Sequence, residues 1–137
     1  MAKEAVLETV TMIYGEDEIL RITINKGAVI GLEQVRLQFD TIRRLCGEKK
    51  IPVLVDARAD HHITREAKEF AAHSDSNRIA TAVVTSNPLG SIFINFFIRV
   101  FKPHSRYKSF FGFAEAELWL NLQVQNEKQT IEAIQHD

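Results

Sequence analysis

The sequence predicts an α/β domain: a mixed, mostly parallel sheet of five strands with helices packed on it, in the order ββαβαβαβα. Three observations carry this. Residues 9–25 alternate apolar and polar side chains with period two on both sides of a turn. Two later runs, 51–57 and 79–85, are short, rich in β-branched residues and mostly apolar, as strands covered on both faces are. Between and after those runs, apolar positions recur every three or four residues, the spacing of one helix face.

The hairpin comes first. Val10, Met12 and Tyr14 alternate with Thr9, Thr11 and Ile13, and Gly15-Glu16-Asp17-Glu18 forms the turn. Leu20, Ile22 and Ile24 then resume against Arg21, Thr23 and Asn25, so both strands bury one face. Lys26-Gly27 breaks the pattern. In the first helix Leu32, Val35, Phe39, Ile42 and Cys46 share a stripe, and Gly47 follows as a stop. Residues 51–57 (IPVLVDA) make the third strand, and Thr64 caps a second helix that turns Ala67, Phe70 and Ala71 inward. Residues 79–85 (IATAVVT) make the fourth strand, after which Pro88 is placed to open a third helix. Residues 107–113 are the fifth strand, and Ala114 begins a last helix through Leu118, Trp119 and Leu122. The chain turns polar after Gln123 but keeps Ile131 and Ile134 at helical spacing. Residues 1–122 are therefore read as the domain and 123–137 as its helical extension or tail.

Composition narrows the function classes. The 137 residues suffice for one core and one domain. Seventeen basic against eighteen acidic side chains give a formal charge of −1, which provides no overall attraction to nucleic acid, and none is expected as a partner. The opening MAKEAVLETV carries charges where a signal peptide needs an apolar stretch, and no run reaches the ~18 apolar residues of a membrane span. The single cysteine, Cys46, excludes an internal disulfide and a Cys-rich zinc site, and a reducing cytoplasm fits. G-x-S-x-G, P-loop and G-x-G-x-x-G motifs are all absent, so no cofactor and no catalytic residue is expected.

Two stretches invite a functional reading. VLVDARADHHIT (residues 53–64) places Asp56, Arg58, His61 and His62 where open α/β sheets hold ligands, at the carboxyl end of a strand. As a site, Arg58 would hold an anion while Asp56 or the histidines move protons. As structure, Asp56 accepts loop N–H groups and pairs with Arg58, and the histidines sit in a solvated loop. The second reading is preferred. Adjacent histidines without a D-x-D or H-x-x-x-H partner do not complete a metal shell, and no metal is expected. TSNPLGS (residues 85–91) places hydroxyls at a helix N-terminus, a composition that ordinary caps share.

The other stretch is LGSIFINFFIRVF (residues 89–101). Leu89, Ile92, Phe93, Phe96, Phe97 and Val100 share one face, enough to cover a sheet. Ile94, Ile98 and Phe101 fall on an adjoining sector and are read as the excess. Three occupants could cover them: the tail through Ile131 and Ile134, a second copy of the chain, or lipid or an apolar ligand beside a basic fringe that includes Arg99 and Lys102.

Four segments resemble the STAS-like superfamily, which includes anti-sigma-factor antagonists, and within it small stand-alone bacterial proteins. They are the hairpin leading into NKGAVIGLEQV, the strand and loop PVLVDARADHHITREAKEFAA, the strand and helix IATAVVTSNPLGSIFINFFIRVFKP, and the closing YKSFFGFAEAELWL. Phosphorylatable antagonists have an Asp-Ser-Ser-Gly turn where this chain reads Asp60-His61-His62-Ile63-Thr64, which leaves Thr64 as the phospho-acceptor the resemblance implies. The resemblance implies a non-enzymatic regulatory or protein-interaction module. Combined with the apolar helix, the expectation is a cytoplasmic homodimer or protein-binding module. One alternative is a hydrophobic-ligand or membrane-surface protein peripheral to the inner membrane. The other is a small enzyme using Asp56, Arg58, His61 and His62.

Overall fold

The computed structural model describes residues 2–136, with the side chain of His136 outside that description. Along the chain run β1 (Lys3–Val6), β2 (Val10–Tyr14), β3 (Leu20–Ile24), β4 (Ala28–Ile30) and α1 (Leu32–Cys46). They are followed by β5 (Ile51–Asp56), β6 (His61–Ile63), α2 (Arg65–Ser74), β7 (Arg78–Val84), α3 (Leu89–Phe101), β8 (Arg106–Phe110) and α4 (Phe113–His136). The main sheet has the order β1-β2-β3-β5-β7-β8; its first three strands are antiparallel and the rest parallel.

The expected hairpin is β2 and β3, with Val10, Met12, Tyr14, Leu20, Ile22 and Ile24 all buried. From β3 outward, α1, α2 and α3 each carry the chain to the next parallel strand in the same direction. Right-handed crossovers of that kind place all three helices on one face. There α1 and α2 close the larger core, in which Val35, Ile42, Cys46 and Ala67 meet the hairpin and Val53. Phe39 and Phe70 seal the two helices edge to face at 5.3 Å. Gly47 ends α1 at φ 75°, a conformation that glycine adopts without a Cβ penalty. On the opposite face α4 lays Ala116 and Leu120 over Leu54, Ala80, Ala82 and Val84. Alanines on both surfaces allow the close approach.

The structure adds to the expected scheme and corrects it in places. A sixth strand, β1, pairs with β2 at one edge, and a separate two-stranded sheet joins β4 to β6. His61 and His62 lie on β6, paired with Ala28 and Val29, and so are not loop residues. Runs of three residues are too short to show periodicity, and this pairing depends on a contact across the fold. In α4 the inward positions are Ala116 and Leu120, while Leu118 and Leu122 face solvent. Residues 123–136 continue α4 without a break. Ile131 and Ile134 are exposed, so the tail does not dock over α3 as one expectation held.

Candidate functional site

Two regions were singled out by sequence, and they lie at different places on the molecule. The first is the polar rim after β5. Arg58 folds back on Asp56 and donates from Nε to Oδ1 and from Nη2 to Oδ2, both at 2.9 Å. The Arg58 backbone N–H adds a third bond to Oδ1 at 3.2 Å. These bonds hold the Asp56 carboxyl below its ordinary range. The guanidinium also lies 4.7 Å from the centre of the Phe113 ring, a cation–π contact that joins the rim to α4. Ser86 donates to the Arg58 carbonyl at 3.3 Å, which ties in the loop before α3.

The remaining rim residues are also engaged. His61 places Nδ1 2.7 Å from the Ala59 carbonyl, while His62 is exposed on β6. Thr64 Oγ1 accepts from the Ala67 N–H at 3.2 Å, the N-cap that the sequence predicts. Asn87 Oδ1 accepts from the Leu89 N–H at 2.9 Å, so the start of α3 is capped from within the chain. Asp56 and Arg58 are thus brought together as a closed pair, and the histidines hold other positions. Among the described residues no group of three or more His, Cys, Asp and Glu is placed to hold a metal ion.

The second region is α3, and here the sector assignment is reversed. Ile94, Ile98 and Phe101, expected to be the excess, turn toward the protein body with Phe97 and are half-buried. Phe97 meets Tyr107 of β8 edge to face at 5.1 Å, and Arg65 of α2 lies 6.0 Å from the Phe101 ring. Outward stand Leu89, Ile92, Phe93, Phe96 and Val100, between 43% and 66% exposed. No residue of α3 is buried. Arg99 and Lys102 are exposed on the arc beside this outer sector.

The cause lies in the small residues that open the helix. A β-carbon on Gly90 would stand 2.5 Å from the Thr85 side chain, and Ser91 Oγ lies 2.8 Å from Ser109 Oγ on β8. Glycine and serine let the first turn approach the sheet, which brings the positions one, two and three turns later inward: Ile94, Phe97, Ile98 and Phe101. Large-side-chain counting ranked the two sectors the wrong way round. The signal that finds the outer sector is the Gly-Ser pair. Beside α3, β8 pairs with β7 and, among the described residues, stands at the edge of the sheet.

Comparison with known proteins places these features in a family and a fold. The family model described as Domain of unknown function (DUF7793) matches residues 13–123. Among curated proteins none matches. A crystal structure of an uncharacterized DUF3478-family protein with a SpoIIAA-like fold, from Shewanella loihica PV-4, superposes with a TM-score of 0.59. It shares 16% sequence identity and covers 88% of this chain and 95% of its own, so the likeness concerns the fold alone. A protein with unknown function from Arthrobacter sp. FB24 is 26% identical, covering 87% of this chain and 98% of its own. Its TM-score of 0.33 carries no structural argument. The SpoIIAA-like neighbour agrees with the STAS-like resemblance in the sequence.

Proposed function

The chain belongs to the DUF7793 family and has a STAS-like fold, and we propose that it is a non-enzymatic interaction module whose binding surface is the outer face of α3. The observation that carries this is five large hydrophobic side chains, Leu89, Ile92, Phe93, Phe96 and Val100, exposed together on a helix with no buried residue. Contiguous apolar surface of this kind on a water-soluble domain usually marks an interaction.

The occupant is a second copy of the chain. An apolar helix face is complementary to itself under a two-fold axis and needs no charge match from a different partner. The edge strand β8 lies beneath α3, and an edge strand is a second place where a copy of the chain can pair. Fully burying a Phe or Leu contributes about 1.5–3 kcal/mol, and roughly half of that remains available at the exposures seen here. Sedimentation velocity at micromolar concentration tests the reading. Wild type should sediment as two chains and Phe93→Ser/Phe96→Ser as one; a monomeric wild type contradicts it.

A second reading is favoured by Arg99 and Lys102, both exposed beside the same sector. Aromatic side chains flanked by cations suit an anionic membrane surface, which the helix would meet lying flat. No helix among the described residues is long and apolar enough to cross a membrane. Wild type should then pellet with anionic vesicles and Phe93→Ser/Phe96→Ser should not; equal recovery of both in the supernatant removes this reading.

A further inference from the structure

β8 ends the main sheet: it pairs in parallel with β7, and among the described residues no strand lies on its other side. Along a strand the N–H and C=O groups of alternate residues point to opposite sides, so every second residue of β8 directs its pair away from β7. A groove runs along this edge, bordered by Ile98 of α3 on one side and Trp119 of α4 on the other.

The two faces of β8 differ. Tyr107 and Ser109 turn to α3, where Tyr107 meets Phe97 at 5.1 Å and Ser109 Oγ lies 2.8 Å from Ser91 Oγ. Arg106 and Phe110 turn to α4: Arg106 donates to Gln123 Oε1 at 3.4 Å, and the Phe110 ring lies 5.7 Å from that of Trp119. Lys108 shares this face by alternation, with its ammonium 5.5 Å from the Phe110 ring. Arg106 and Lys108 are both exposed.

The whole chain is nearly neutral, yet between Asp75 and Glu115 it has no acidic residue, while Arg78, Arg99, Lys102, Arg106 and Lys108 all fall there. Lys102, Arg106 and Lys108 line the groove. None of these three has an ion pair among the described residues. Lys102 closes α3 in the left-handed conformation at φ 48°, which glycine adopts at lower cost. A cation is thus held at the corner of the groove where glycine would relax the backbone.

This edge does not suit its own copy. In an antiparallel pair of β8 strands, a two-fold axis through Tyr107 sets Arg106 opposite Lys108, and one through Lys108 sets that lysine opposite itself. Like charges directly opposite destabilise a strand pair. The other edge strand of the sheet, β1, has Glu4 as its only acid.

We propose that the edge of β8 takes up an extended acidic segment of a partner protein as a further strand of the sheet. Main-chain hydrogen bonds hold the segment, and its alternate side chains select it. Carboxylates at every second position meet Arg106 and Lys108 on the α4 face, and the residues between them lie beside Tyr107 and Ile98, where apolar side chains fit. The site goes beyond the proposed self-association and shares no residue with the outer sector of α3.

Fluorescence anisotropy tests this with the full chain and a labelled, end-capped eight-residue peptide that alternates glutamate and valine. It should bind at least tenfold more tightly than the matching lysine–valine peptide. N-methylation of its four central amides keeps the charge, removes the strand's donors and should weaken binding at least tenfold. Arg106→Gln/Lys108→Gln, at exposed positions, should do the same. Lys102→Gly should weaken binding several-fold without lowering the thermal midpoint. Phe93→Ser/Phe96→Ser should bind the peptide as wild type does, whether or not wild type self-associates. Equal binding of the N-methylated or the lysine peptide overturns the proposal, as does indifference to Arg106→Gln/Lys108→Gln. Loss of binding in Phe93→Ser/Phe96→Ser, or capture by phosphatidylglycerol vesicles without peptide binding, overturns it too.

Discussion

Gly90 and Thr85 are in such close approach that a single added carbon on Gly90 would stand 2.5 Å from the Thr85 side chain. This contact sets the rotation of α3 and thereby decides which of its apolar sectors meets water. Gly90→Ala should gain helix propensity of about 1 kcal/mol at most. The clash outweighs that gain, because the neighbour is a strand-end side chain packed beneath the helix. The expected outcome is a lower urea midpoint; an unchanged or raised midpoint would mean that α3 does not rest on Thr85.

The two sectors of α3 should respond oppositely to charge. Ile98→Glu places a carboxylate in the half-buried sector beside β8 and should lower folding stability by about 1–3 kcal/mol. Ile92→Glu places it in the outer sector and should leave folding stability within about 0.5 kcal/mol while abolishing self-association. Denaturant melts of dilute protein separate the first effect from the second. Equal destabilisation by both variants would refute the orientation of α3.

Asp75 pins the loop between α3 and β8 by accepting from His104 and Ser105 while wholly buried. Asp75→Ala leaves the part-buried His104 and Ser105 N–H groups without their acceptor, at a cost of about 1–3 kcal/mol together. Thr64→Ala should cost about 1 kcal/mol by removing one cap. Chemical denaturation should therefore rank Asp75→Ala below Thr64→Ala, and the reverse order would show that the loop is held by something else.

The Asp56–Arg58 pair has a definite pH signature. Arg58 lowers the Asp56 carboxyl below its unfolded value, so the native state binds that proton less readily than the unfolded state does. The pair's contribution to stability is complete above the ordinary carboxylate range and is lost as pH falls through the lowered native value. In Arg58→Gln this loss disappears, so wild type and variant should converge in stability below about pH 4 and differ above it. Urea melts from pH 3 to pH 7 measure it, and a constant difference across that range would contradict the pairing.

Burial pushes the Cys46 thiol up to about 11. A buried, protonated thiol is a poor nucleophile. Native protein at pH 8 should react slowly with a disulfide reagent and reach one thiol per chain only on unfolding. Prompt native labelling would place Cys46 outside the α1 core.

Much of the architecture was legible because one face of each long element is apolar. Val10 to Ile24 predicts the hairpin and its buried face, Leu32 to Cys46 predicts α1, and Thr64 and Pro88 mark the starts of two helices as found. The short strands β1, β4 and β6 were not legible. KEAV, AVI and HHI carry too few periods, and their pairing is set by partners elsewhere in the chain. The apolar excess of α3 could be read from composition, but its direction depends on Gly90 and Ser91, residues that contribute no hydrophobic surface.

The most direct test of the account is whether two α3 helices face one another in solution. A nitroxide attached through Asn95→Cys, in a Cys46→Ser background, sits at the edge of the outer sector and is read by pulsed electron paramagnetic resonance. Helices packed at 8–10 Å should give inter-chain spin distances of about 15–30 Å at micromolar protein, lost in the added presence of Phe93→Ser/Phe96→Ser. Absence of any inter-chain coupling, or coupling that persists in that variant, would contradict the claim that α3 is where this protein binds itself.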